Sequence, residues 1–139
     1  MVGARRWGVL AFELVLVLPL LLLVVLAMAQ FSMLLTARQE LLAACREGAR
    51  VASHGGDRSA AAAEAEDTVR HLLGGGRLAG SDVQVHWLPD DPEHPENGRE
   101  RVEVDVAVLA TRAAPDFLGW TGFTLSGQYL TAVTVMNVE

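Results

Sequence analysis

The chain has 139 residues, enough for one domain, and 51% of them are hydrophobic with a mean hydropathy of +0.28, which excludes disorder throughout. A single cysteine excludes an intramolecular disulfide scaffold, and a formal charge of −6 argues against a nucleic-acid binder, which needs a basic face. Lys and Ile are absent, a codon-composition signature, so the all-arginine basic set is no sign of guanidinium chemistry.

The apolar weight is concentrated at the start. Of the 21 residues from Val9 to Ala29, 19 are hydrophobic, interrupted only by Glu13 and Pro19. As a helix this segment spans ~31 Å, the thickness of a bilayer core. Residues 30–139 have the composition of an ordinary globular domain.

Three readings of the N-terminus compete. Arg5 and Arg6, an apolar core, and Ala27-Met28-Ala29 before Gln30 fit a secretory signal peptide cut after Ala29. Its core, however, is longer than the usual 7–15 residues and carries a glutamate. The second reading is a plain single-span anchor, which gives Glu13 no purpose, although an acidic group inside a span is costly. In the third, Gly8 precedes an apolar run, Val9-Leu10-Ala11-Phe12-Glu13, whose fifth residue is glutamate. That pattern resembles the processing site of type IV pilin precursors, which a prepilin peptidase cuts after the glycine. The new amine at Val9 and the carboxylate at Glu13 would then be expensive in low dielectric unless paired between neighbouring subunits.

Longer stretches sharpen the third reading. Glu13-Leu14-Val15-Leu16-Val17-Leu18-Pro19-Leu20-Leu21-Leu22 resembles the E-F-A-L-V-L-P-L-L-L signature of TadE-like proteins, with Leu14 where the family usually has an aromatic. Ala43-Ala44-Cys45-Arg46-Glu47-Gly48-Ala49-Arg50 resembles the family's A-A-R-E-G-A-R stretch, and Tyr129–Met136 looks like its closing strand. TadE-like proteins are minor pilins or pseudopilins of the tight-adherence system, which builds Flp-type pili. The resemblance implies a bacterial inner-membrane precursor with its head outside the cytoplasm, stored there or assembled into a pilus. Its implied partners are the prepilin peptidase, other pilin or pseudopilin subunits, the assembly platform and the membrane, with no nucleic acid and no cofactor. Charge does not orient the span by itself, because Arg5 and Arg6 before it are balanced by Arg38 and Arg46 after it. The domain plan is a cytoplasmic leader at 1–8, a transmembrane half-helix at 9–29, and an α+β head at 30–139.

No Gly or Pro separates residues 30–47 from the apolar run, so the helix is expected to continue to about Ala52. Leu34, Leu35, Ala37, Leu41, Leu42, Cys45, Ala49 and Ala52 form its apolar stripe, to be laid on the head. Within the 46–50 stretch two readings stand side by side. Glu47 and Arg50 form a solvated pair at three residues' spacing, or Gly48 admits a neighbouring helix or the head while Arg46 and Arg50 meet carboxylates across that contact.

Asp57 is the expected N-cap of a second helix over 58–73, with Ala61, Ala65, Val69, Leu72 and Leu73 on its apolar face and Gly74-Gly75-Gly76 as a linker. Period-two alternation then predicts strands around Val83-Val85-Trp87 and Val102-Val104-Val106-Val108, with a third from about Leu125 to Val138. The segment from Pro115 to Gly122 is expected to tuck Phe117 and Trp120 beneath the sheet. Three antiparallel strands need cover for their apolar face, so the expected fold is an α+β head packed on the long helix, and the resemblance implies that this fold is type IV pilin-like.

No catalytic constellation stands out. His54, His71, His86 and His94 share no metal-ligand spacing, and no serine has a nucleophile context. The acidic loop at 89–98 lacks the order of a calcium site and reads as a solvated turn. Cys45 reads as a packing residue. The chain is therefore expected to be a non-enzyme with no metal site.

Overall fold

The computed structural model describes residues 3–54, 56–89 and 100–138, with side chains from Glu13 onward. The acidic loop at 90–98 and the side chains of Gly8 and Val9 thus lie outside the described residues.

Helix α1 (Gly3–Ser53) runs unbroken for 51 residues, ~77 Å, through Pro19. Pro19 removes one helical donor, a defect that membrane helices tolerate where soluble ones do not. Helix α2 (Arg58–Leu73) begins at the expected cap: the Asp57 carboxylate accepts hydrogen bonds from Ser59 N–H at 3.4 Å and Ser59 Oγ at 2.9 Å. Strands β1 (Asp82–Leu88), β2 (Arg101–Leu109) and β3 (Tyr129–Asn137) pair antiparallel in the order β1-β2-β3. Val104 faces Val85 on one side and Thr134 on the other. The architecture is the expected α+β layout of a long helix, a second helix and a three-stranded sheet.

The core lies between α1, α2 and one face of the sheet. Val102, Val104, Val106 and Val108 of the central strand are buried, as period-two alternation requires. Ala37, Leu41, Ala44, Cys45, Ala49 and Ala52 of α1 meet them. With small residues on its packing face, α1 lies close to the sheet, and Cys45 Sγ donates to Ala132 O on β3 at 3.3 Å.

Four local expectations need correction. Leu35 is 59% exposed and Leu72 is 54% exposed, so neither belongs to its helix's buried face. In α2 the burial falls instead on Ala61, Ala65, Val69 and Leu73, in steps of four residues. Strand β3 starts at Tyr129, not Leu125, because Gly127 adopts φ +76° and Gln128 N–H bonds Leu125 O at 3.1 Å, closing a turn. The segment after β2 forms a short helical turn, α3 (Ala110–Ala113), and does not tuck Trp120 under the sheet, since that ring is 76% exposed, while Phe117 is half-buried. The inner face of the sheet is already filled by α1 and α2.

Arg112 ties α3 to the α2–β1 connection by donating to Ala79 O at 2.9 Å. Gly80 has φ +80°, a conformation that favours glycine, and a Cβ there would stand 2.6 Å from that guanidinium, whose flexible arm would have to shift.

Cys45 is fully buried and its thiol is pushed up to about 11, chiefly by burial and secondly by the nearby Asp105 carboxylate. Between pH ~9 and ~11 the unfolded chain therefore loses the thiol proton while the folded one keeps it. Stability should fall over that window as pH rises, by at most ~2–3 kcal/mol. Urea titrations at pH 8 and pH 10.5 in detergent should show this loss, and Cys45→Ala should reduce it. A thiol reagent should label Cys45 only after unfolding.

Candidate functional site

The features that set this chain apart lie along α1, in three tiers. The lowest is the apolar rod. Leu14, Val15, Leu16, Leu18, Leu20 and Leu21 are all more than half exposed, and nothing in the head covers them. A helix with bare apolar surface all round belongs in lipid or in a bundle of like helices. This is one helix long and apolar enough to cross a membrane. Glu13 is exposed on this rod and makes no ion pair among the described residues. The Gly8–Val9 step falls in the first turns of the α1 backbone.

The middle tier is the point where rod becomes head. Gln30 is fully buried, and its Oε1 accepts the Leu118 N–H at 3.1 Å across 88 residues of sequence. Its Nε2 has no hydrogen-bond partner among the described residues. Gln30→Leu would remove that orphan donor while creating another at the Leu118 amide. The two desolvation terms nearly cancel. Global stability should therefore change by about 1 kcal/mol or less, while deuterium exchange at Leu118 accelerates roughly tenfold as the 115–125 segment loosens.

The upper tier is the 46–50 stretch. Gly48 is buried against α2: a Cβ there would lie 2.6 Å from Val69 Cγ2, 3.5 Å from Ala65 O and 3.7 Å from Val104 Cγ1. The glycine thus serves close approach of α1 to its own head. Arg50 does not reach across that contact. It pairs with Glu47 on the same helix, Nη2 to Oε1 at 2.5 Å and Nε to Oε2 at 3.0 Å. The Arg50 hydrogen bonds hold the Glu47 carboxyl below its ordinary range, but both side chains are solvent-exposed. Arg46 is exposed beside them. Of the two readings of this stretch, the arginine and glutamate follow the solvated pair, and the glycine follows the packing one.

The described residues contain no group of three His, Cys, Asp or Glu side chains placed to hold a metal ion. The arrangement along α1 is one of bare apolar surface, close helix packing and a solvated ion pair.

No curated protein and no solved structure matches the chain. Residues 8–50, which contain all three tiers, match the family model of TadE-like proteins.

Proposed function

We propose that this chain, TadE-like over residues 8–50, is a minor pilin or pseudopilin-like subunit of a tight-adherence, Flp-type pilus apparatus. The TadE-like segment marks a Tad/Flp pilus-associated protein, and the single apolar helix marks a single-pass membrane protein. The finer reading is that a prepilin peptidase removes residues 1–8 and leaves Val9 as the new N-terminus. The head stands outside the cytoplasm, and α1 carries the subunit from membrane storage into assembly with other pilin-like subunits and the assembly platform.

One observation carries this reading: the rod and the head core are the same helix. Residues 30–53 of α1 supply Leu41, Cys45, Ala49 and Ala52 to the core, and the helix runs without a break into the bare apolar rod below. A signal peptide cut after Ala29 would sever this continuous helix at Gln30, whose side chain is fully buried where rod meets head, so retention of residues 9–29 keeps the helix intact. Loss of Arg5 and Arg6 with the leader would leave nine arginines against 17 acidic side chains, making the processed subunit more acidic than the precursor.

The test is the N-terminal residue of the protein recovered from its native membrane. Val9 is expected. Gln30 would instead identify a secreted or otherwise anchored extracytoplasmic binding domain with a conventional signal peptide, and Met1 an unprocessed anchor; either overturns the proposal.

A further inference from the structure

The exposed aromatic rings are distributed unevenly over the head. Among the described residues, those counted as exposed large side chains are Phe31, Trp120, Phe123 and Tyr129. All four lie at the end of the head from which the apolar rod leaves. Phe31 stands two residues beyond Ala29, and the Phe123 ring packs on it at 5.7 Å between centroids with a 51° tilt. Trp120 sits in the short 3-10 turn Gly119–Thr121, which the Gln30–Leu118 hydrogen bond fastens to α1. Tyr129 opens β3 beside Leu130, and Leu130 packs with Met33 and Leu34 of α1 around Ala110, Ala114 and Leu125. At the far end the corresponding aromatic, Trp87, is half-buried, with the Arg58 guanidinium 5.9 Å over its ring.

The 115–125 segment is also built to hold its shape. Asp116 Oδ2 accepts from Leu125 N–H at 3.0 Å and from Thr124 Oγ1 at 2.8 Å, and Gly122 turns the chain at φ +94°. Asp116 is the one charged residue between Ala113 and Gln128. A rigid, nearly uncharged loop therefore presents an indole and a phenyl ring to the outside, one helical turn past a segment as long as the bilayer core.

Water is a poor environment for two bare rings, whereas the membrane–water boundary is where Trp and Tyr are most stable, with their apolar bodies among acyl chains and their polar tips wet. The hydrocarbon core is ~30 Å thick, and the polar layer on each side adds several Å more. With Val9–Ala29 filling the core, residues around 30 and the loop fastened to them fall in that layer.

We propose that the 115–125 loop is an interfacial anchor. Trp120 and Phe123, with Phe31 behind them and Tyr129 alongside, enter the headgroup–acyl boundary of the bilayer that α1 crosses and stand the head on the lipid surface in one orientation. The partner is the lipid surface, and the contact is continuous with the lipid-facing side of the rod. It rests on the membrane-spanning reading of α1 and requires neither peptidase processing nor a pilus.

The test uses the full chain carrying Trp7→Phe and Trp87→Phe, reconstituted into phosphatidylethanolamine–phosphatidylglycerol vesicles, so that emission comes from Trp120 alone. Lipids brominated near the glycerol end of the acyl chain should quench that emission about twofold more than lipids brominated near the chain terminus, as expected for shallow insertion. Acrylamide should quench it several-fold less than in the urea-unfolded chain. Should Trp87→Phe loosen the head, the difference between the emission of the natural chain and that of Trp120→Phe isolates the same indole. Strong acrylamide quenching without bromolipid quenching overturns the proposal, because the ring is then in water. Quenching by neither overturns it too, because a second copy is then covering the ring. An alkaline carbonate wash of the same vesicles separates the two levels. A chain that washes off has no inserted span, and both readings fall; a chain that stays on while Trp120 is water-quenched loses only the anchor.

Discussion

Gly48→Val should destabilise the head by about 3 kcal/mol or more, read as a lower urea midpoint for the detergent-solubilised full chain. The position sits in mid-helix, where exchanging glycine for a side chain normally helps: alanine gains about 1 kcal/mol of helix propensity. Here steric crowding outweighs that gain. Even a single Cβ would stand 2.6 Å from Val69 Cγ2, and Val69 is a β-branched residue on α2, held in one rotamer and fully buried. With Val104 Cγ1 close behind the same point at 3.7 Å, there is no free space into which two further methyl groups can turn. Overpacking of this kind costs about 1–3 kcal/mol and sometimes more. Gly48→Ala should therefore be mildly destabilising, with propensity offsetting part of the clash, and Gly48→Val severely so. The double change Gly48→Ala with Val69→Ala should cost less than the sum of its parts by about 1 kcal/mol or more, because the second change removes the obstructing methyl groups. Strict additivity would mean that Gly48 does not set the distance between α1 and α2.

Glu13→Ala should leave the amount of membrane-inserted protein and the stability of the head unchanged and should reduce incorporation into pili by tenfold or more. The first half of that expectation follows from position. Glu13 is exposed, makes no ion pair among the described residues, and lies far along α1 from the core residues Ala37–Ala52. In a bilayer its removal even lowers the insertion cost, which runs to about 2.5–3.5 kcal/mol for an acidic group at mid-span and less near an end. The second half follows from the proposed role. If Glu13 pairs with a neighbour's Val9 amine when rods bundle, truncation leaves a buried amine without a partner. Removing one member of a buried pair costs about 3–5 kcal/mol. Glu13→Gln separates charge from shape: it keeps the size and a hydrogen-bonding oxygen but cannot neutralise an amine, so it should fail nearly as badly. Counting pili by electron microscopy and measuring the variant's share in sheared filaments would check both. Normal piliation in Glu13→Ala would remove the pairing mechanism while leaving the fold untouched.

Much of the molecule was legible from local patterns because the physics behind them is local. A bilayer-length apolar run needs only composition and length to be read, and α2 from Arg58 to Leu73 needs only its cap and its glycine stop. The alternation on β2 predicts buried Val102, Val104, Val106 and Val108 because a strand's side chains must point to opposite faces. The TadE-like match at 8–50 likewise rests on consecutive residues.

What periodicity could not decide is which of two plausible faces meets a distant element. Leu35 and Leu72 satisfy the helical spacing of their neighbours, yet both are exposed, because α1, α2 and the sheet close over the adjacent positions. Gly48 could have admitted a neighbouring subunit or the chain's own head, and only the approach of α2 assigns it to the head. Arg50 could have crossed that contact, but Glu47 one turn away on the same helix takes it.

Gln30 gave no signal beyond being the first residue after a possible cleavage site; its pairing with Leu118 joins positions 88 residues apart. The aromatic loop is the clearest division between the two levels of information. Composition predicts that Phe117 and Trp120 seek an apolar environment, and the tertiary structure decides where. With the inner face of the sheet filled by small and β-branched side chains, no room remains for an indole, and the loop is held instead at the end of the head nearest the rod. By itself the sequence determined the apolar run, the order of helices and strands, and the buried side of the central strand. Their long-range closure decided that the remaining aromatic surface gathers at the end of the head nearest the rod, because only contacts across the fold specify which apolar groups are left outside.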